Sequence, residues 1–445
     1  MSKLLSLLLL CPTMFVPVTV AAQQQNPVSG RWVVNADFYG TPIYFQLHLT
    51  QQGDKLTGEF GGDKLEGTIS GDAIHFLAKD EQGGTEEAKA TLARTKDDPG
   101  GTMSGSIVFI DADDAAHPQT RQFTARLVPA KRAGAAQRHE FVPTTFYRQF
   151  SAANKPVLTI WPGDSVHTTT VDAGGTDEKG VTRVLGGNPE TGPFYIETAA
   201  PGDTLVVHLT RVRLNRDWAI SDDGVVERGL TSDLATKMKD GFKNVRWHLD
   251  REKGVATPEK PAEHLKNYSV PMRPMLGCVA TAPGSAQAAP GTGDSGRYGG
   301  NMDFNEVVEG ATVYLPVNVP GALLYVGDGH ALQGDGELNG NALETSMDVE
   351  FTVDLIPAKR IPGPRIESAT HIIAMGLSGS LDDAFRSATD NMARWLTDTY
   401  KLTPSEVAQV LGTSAEYKVS EVADRNAGIV LKINKERLQG LAAVK

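Results

Sequence analysis

Cysteine is almost missing from this chain: 445 residues contain two, Cys11 and Cys278. If the leader described below is removed, Cys278 stands alone, and one thiol closes no intramolecular disulfide, so stability must come from packing. Basic runs and stripes of basic and aromatic residues are also missing. With a net charge of -11, this argues against nucleic acid or an anionic membrane surface as the main partner. Past the first residues, no apolar run approaches the ~20 residues needed to span a bilayer. The Gly-x-Ser-x-Gly pattern of a serine nucleophile does not occur. Regular alternation of strand and helix patterns is absent too, which argues against a doubly wound fold.

What is present is an ordinary soluble composition, 40% hydrophobic and 22% charged, with 46 glycines to make turns. At roughly 150 residues per domain, the length suggests two or three domains. Residues 1–22 read as a signal peptide. Lys3 supplies a positive charge, residues 4–10 are apolar except Ser6, and Val20-Ala21-Ala22 offers a small-residue cleavage site before Gln23-Gln24-Gln25. Cys11-Pro12-Thr13 breaks the run, against an anchor, and Leu10 stands where a small residue should precede a lipidated cysteine. The expected location is periplasmic or secreted.

Residues 27–129 read as a small all-β module, a barrel or sandwich, of unknown role. Phe45, Leu47 and Leu49 alternate with Gln46, His48 and Thr50, the period of a half-buried strand. Gly53-Asp54-Lys55-Leu56 recurs as Gly62-Asp63-Lys64-Leu65, each followed two residues later by glycine, as in successive hairpins. Residues 130–138 are short, small and basic, and suit a mobile linker. From residue 139 the chain reads as mainly β with a C-terminal α/β portion. Pro162-Gly163-Asp164 and Pro201-Gly202-Asp203 each introduce a strand. Residues 221–266, rich in charge, read as an excursion. Leu381, Ala384, Phe385, Ala388, Met392, Trp395 and Leu396 form an apolar helical stripe, capped by Ser380 with Asp383 three residues on. Thr403-Pro404-Ser405-Glu406 starts a second helix.

The densest polar cluster in an apolar setting is the segment 327–337, which carries Asp328, His330, Asp335 and Glu337 after a near-continuous apolar run over 319–326. A buried strand delivering these groups into a glycine-rich loop can converge ligands for a borderline cation such as zinc, leaving one position for water. Asp335, Glu337, Asn339 and Gly340 also mimic the start of a helix-loop-helix calcium motif, but Ser346 stands where its bidentate glutamate is required. Calcium in another geometry stays open. Upstream, the glycines of Gly299-Gly300-Asn301-Met302-Asp303 allow close backbone approach, and Asn301 and Asp303 can orient an amide or a water, although from the residues alone a plain turn before the next strand is the preferred reading.

Taken in order, Gly299-Gly300-Asn301-Met302-Asp303, the segment 315–323 and the segment 326–337 resemble the central signature of the acetamidase/formamidase family. Asn188-Pro189-Glu190-Thr191-Gly192, Gly277-Cys278-Val279-Ala280 and Val419-Ser420-Glu421-Val422-Ala423-Asp424-Arg425 agree with it. The likeness runs from about residue 137 to 440 and makes residues 139–445 an amidase domain. The leader of residues 1–22 makes the expected amidase an exported one, and the likeness implies an enzyme that hydrolyses the C–N bond of short linear amides, of formamide or acetamide type, to carboxylate and ammonia. It further implies a homo-oligomer (a dimer) and a divalent metal, zinc first and calcium second. Carried over residue by residue, it nominates Asp172, Asp328, His330 and Glu337 for metal binding. Asp328, His330 and Glu337 would activate water, and Asn301 and Asp303 would bind substrate.

Two rivals are weighed against this. Cys278 could act as a thiol nucleophile if a neighbouring base lowered its pKa. A non-catalytic cell-envelope ligand-binding protein could keep the same fold without the chemistry.

Overall fold

The computed structural model describes residues 28–441, apart from 97, 99, 131, 133, 239–241 and 285–287. The expected signal peptide lies outside the described residues, as does part of the expected linker. Among the described residues no helix is long and apolar enough to cross a membrane.

The expected small β-module is a closed eight-stranded antiparallel barrel. Its strands run in chain order from Gly30–Phe38 to Gln119–Leu127, and the first pairs with the last, Trp32 opposite Leu127. Alternate side chains fill it: Trp32, Val34, Leu47, Leu56, Phe76 and Met103 are all buried. The two glycine-started repeats are consecutive strands, Lys55–Phe60 and Asp63–Ser70, which put Leu56 and Leu65 inward. The glycine that ends each repeat has a steric reason. A Cβ on Gly58, where φ is +152°, would lie 1.8 Å from the His48 carbonyl oxygen, and one on Gly67 would lie 2.3 Å from that of His75.

Both Pro-Gly-Asp turns bury their aspartate and use it as an anchor. Asp203 accepts from Arg31 of the barrel at 2.6 and 2.8 Å and from the backbone of Ala200 and Ala358. Asp164 accepts from Arg132 at 3.0 Å and from the Gln137 backbone at 2.7 Å, while Arg138–Glu140 forms a strand parallel to Ser165–Thr169. The described part of the expected mobile linker is therefore held. Its cations and amides were not recognisable as partners of a carboxylate some thirty positions away.

The remainder is two large sheets, of twelve and nine strands, enclosing one apolar core. Long central strands Thr204–Leu214 and Met347–Ile356 pair in the nine-stranded sheet. The excursion folds onto the edge of the other sheet: Asn244–Asp250 pairs with Trp218–Asp222, and Val255–Pro258 pairs beyond it. At the C-terminal end, helix Leu381–Tyr400 packs on strands His371–Ser378 and Ala427–Asn434. The Ser380 cap and the Thr403–Glu406 capping box both form. The helical stripe is narrower than expected. Leu381 and Phe385 are 41% and 46% exposed, Phe385 stacks on Tyr417, and the buried face includes Asn391, which accepts from Arg365 Nε and donates to two backbone carbonyls.

Candidate metal centre

Strand Leu324–His330 is buried along its whole length. It lies between Met275–Ala280 and the short strand Glu344–Thr345, with His330 opposite both Met275 and Glu344. Small residues opposite its acids make room for them. A Cβ on Gly277 would sit 2.2 Å from Asp328 Oδ2 and 2.4 Å from Asp303 Oδ1, and one on Gly327 would sit 2.2 Å from Glu190 Oε2. Any side chain at either glycine would occupy the space of a carboxylate.

Two sets of side chains converge on His330. Asp303, Asp328 and His330 bring ligand atoms within 4.8 Å of one another, and so do His330, Glu337 and Glu344. The imidazole Nε2 lies 3.2 Å from Glu344 Oε1, 3.4 Å from Asp328 Oδ2 and 4.0 Å from Asp303 Oδ1. Its other nitrogen is fixed. Gln333 commits its amide nitrogen to the carbonyls of Asp303 and Ser420, so its Oε1 is what accepts from His330 Nδ1–H at 2.9 Å. That assigns the tautomer and leaves Nε2 facing the carboxylates, the arrangement of a metal-ligating histidine.

Polar bookkeeping tests the fit of a cation. Both carboxylate oxygens of Asp303, Asp328 and Glu190, Oε2 of Glu344 and Nε2 of His330 are buried without a hydrogen-bond partner. Groups of this kind are costly to bury unless something else satisfies them. Burial, then repulsion from neighbouring acids, holds Asp303 well above the usual carboxylate range and moves Glu344 to about 8. Burial is likewise the main cause for Glu337 and Glu190. Burial works against charging His330, but Glu344 and Asp328 outweigh it and keep its pKa well above the usual value. A divalent cation beside His330 would offset the penalties on the carboxylates grouped with it, and an imidazole nitrogen among carboxylate oxygens suits zinc or a harder ion such as calcium. The residues present fit a metal.

The backbone carries a second mark. Among the described residues, twelve non-glycine residues have positive φ, and Asn188, Asp303, Asp328 and Glu337, at +40° to +50°, are four of them. Left-handed backbone at non-glycine positions is strained and concentrates at functional sites.

The centre opens on a cleft of about 710 Å³ lined by Tyr147, Asn188, Asn301, Asp328, Glu337 and Glu344. On its wall Asn188 Nδ2 donates to Asn301 Oδ1 at 3.0 Å, and Asn301 Nδ2 donates to Asp424 Oδ2 at 2.7 Å. Burial raises the Asp424 carboxyl to about 6.

The structure thus brings together Asp328, His330 and Glu337 as nominated, and adds Asp303 as a potential ligand beside them. Asn301 lines the cleft as nominated for substrate. Asp172 is placed elsewhere: it accepts from Arg216 Nη2 at 2.7 Å and from the Thr176 backbone at 2.8 Å, on the wall of an adjoining cleft. Asp335 lies at the half-exposed rim, bonded by Asn305. Cys278 is fully buried, and burial together with Glu190 and Asp328 pushes its thiol well above the usual range, against a thiolate nucleophile. Sequence reasoning missed Glu344 as a potential ligand and Glu190 as a buried acid nearby. Glu190 sits inside the quoted segment 188–192, whereas Glu344 carries no local signal.

Fold and site together define a two-sheet β protein with a buried histidine–carboxylate centre at the floor of an open cleft. The Acetamidase/Formamidase family pattern matches residues 285–372. A putative formamidase of Schizosaccharomyces pombe is 28% identical over 194 residues, 34% of this chain and 47% of that protein. An acetamidase of Mycolicibacterium smegmatis is 44% identical over 59 residues, 13% of this chain and 14% of that protein. The matched stretches therefore span about half, or less, of the curated relatives' length. Among solved structures, a predicted acetamidase/formamidase from Thermoanaerobacter tengcongensis superposes with a TM-score of 0.59 at 26% identity, covering 69% of this chain and 99% of its own. An acetamidase from Bacillus halodurans gives 0.58 at 25%, covering 68% and 100%. In sequence and in fold, the resemblance is to the acetamidase/formamidase family.

Proposed function

We propose that this protein hydrolyses the C–N bond of a linear amide, giving a carboxylate and ammonia, at a divalent ion held by His330 and the carboxylates of Asp303, Asp328, Glu337 and Glu344. The observation that carries this reading is the buried, unpartnered histidine–carboxylate cluster at the floor of the cleft. The family's name for its activity supplies the substrate class. When bound, the ion supplies Lewis acidity, which makes water nucleophilic near neutral pH and polarises an amide carbonyl.

The chain's own residues do the rest. Gln333 holds the His330 ring in one tautomer and orientation. Glu344, whose side chain lies on the cleft wall beside His330, takes a proton from the attacking water at Oε2 and returns it to the leaving nitrogen. A C–O bond forms, the C–N bond breaks, and nitrogen leaves as ammonia. Asn188, Asn301 and Asp424 present an amide oxygen, an amide nitrogen and a carboxylate along the wall, complementary to the donor and acceptor ends of an amide. Zinc is the first candidate ion and calcium the second. We further propose that the chain is exported, a reading supported by the leader-like pattern of residues 1–22.

The test is ammonia release from formamide, acetamide and propionamide by the purified protein, before and after chelation, with zinc or calcium added back. Release abolished by chelation and restored by one ion supports the reading. Release that survives exhaustive chelation removes the metal role, and a folded, metal-loaded protein that releases no ammonia from any amide removes the enzyme reading.

A further inference from the structure

A second cleft, of about 870 Å³, adjoins the first and shares Gly187, Asn188, Asn341 and Glu344 with it. Glu344 therefore faces both spaces, whereas Asp328 and Glu337 open on the first. Formamide or acetamide displaces only two or three waters, roughly 60–90 Å³ at about 30 Å³ per water. Either would leave both clefts almost entirely to solvent, whereas ligand sites normally bury most of their ligand.

The charges of the second cleft say what would fill it. Its acids are buried: Asp172 is tied to Arg216, and Glu344 turns Oε1 toward His330 at 3.2 Å. Its cations sit at the exposed end, in surface pairs that solvent screens. Arg246, from the excursion strand Asn244–Asp250, rests on the Trp218 ring at 4.2 Å, and its partner there is Glu259, in an exposed pair at 2.8 Å that a ligand carboxylate can replace. Lys179 is 72% exposed on the same wall, with Glu178 no nearer than 3.8 Å. Arg216 also lies on the Trp218 ring, at 3.4 Å, so the ring carries both guanidinium groups.

We propose that the substrate is an extended amide whose arm runs from Glu344 past Trp218 and ends in a carboxylate held by Arg246 and Lys179. This rests on the amide-hydrolase reading above and goes beyond it by giving the substrate's length and charge. The excursion over residues 221–266 is then a specificity element, since it brings Asn244 and Arg246 to the cleft.

The experiment compares kcat/KM for ammonia release from acetamide, hexanamide and adipamate, the last two equal in chain length and differing in the terminal carboxylate. The expected order is adipamate, then hexanamide, then acetamide, with about tenfold or more between the first two, the effect of one charge-assisted contact. Arg246→Ala should bring the adipamate-to-hexanamide ratio close to one, mainly through KM, and Arg246→Lys, which keeps the charge, should restore most of it. An unchanged melting temperature shows that the alanine variant is folded. Acetamide turned over as well as or better than both longer amides overturns this inference while leaving amide hydrolysis in place. Equal rates for adipamate and hexanamide overturn it as well. No ammonia from any of the three overturns both readings.

Discussion

The barrel and the two-sheet body differ in what they bury. The barrel interior is an apolar cluster from Val28 to Ala125 with a half-buried acid, Glu86, whose Oε2 is unpartnered and whose carboxyl is raised by burial to about 7, and its glycines ease backbone crossings such as that of Gly58 over His48. The body buries an apolar core as well, but inside it lie Asp303, Asp328, Glu190 and His330 with polar atoms left unpartnered, and glycines that clear space for carboxylates. Close backbone approach explains the first set of glycines, and room for buried carboxylates explains the second. The body concentrates backbone strain and unpartnered acids around one histidine, a pattern of functional sites rather than of packing.

Substitutions should separate the two regions sharply. The largest effect is expected from Asp328→Asn or His330→Ala, which should cut ammonia release by about 10³-fold and strip the bound ion, with the far-ultraviolet spectrum unchanged. Next is a matched pair of glycine substitutions. Gly277→Ala should weaken metal affinity by about 100-fold, because its methyl group would displace Asp328 and Asp303. Gly58→Ala should lower stability by about 2–4 kcal/mol and leave metal affinity alone. Equal effects of the two on metal binding, measured by titration, would erase the distinction between the regions. Gln333→Ala, which frees the His330 ring, should cost about tenfold in metal affinity.

The smallest effect is one of pH. The folded, metal-free protein keeps a proton on Glu344 up to about 8, whereas its ordinary value is 4.5. Between those limits the folded state binds more protons than the unfolded chain, so metal-free stability should fall as pH rises. The metal-loaded protein should show the opposite trend over the same window, because protons compete with the ion for the same oxygens. Melting curves with and without chelator would show whether the slopes have opposite signs.

Much of this was legible in the sequence, for identifiable reasons. Alternation around Phe45, Leu47 and Leu49 and the repeated Gly-Asp-Lys-Leu turns led to a barrel or sandwich, because local period and turn chemistry decide a meander but not its closure. Asp328, His330 and Glu337 were legible because they crowd into the end of one apolar strand and the loop after it. Glu344 was not: its place opposite His330 is created by strand pairing. The position of Asp172 also depends on tertiary structure, since Arg216, forty-four positions away, takes up its carboxylate. Arg132 and Gln137 looked like linker residues until Asp164 supplied their acceptor.

The central claim is that the body's buried acids and His330 hold a divalent cation. Elemental analysis of the purified full chain beside Asp328→Asn and His330→Ala tests it directly. About one zinc or calcium ion per chain in the parent, lost in both variants while they remain folded, is the predicted result. A parent free of divalent metal after purification and reloading, or variants that retain the same ion in the same amount, would contradict it.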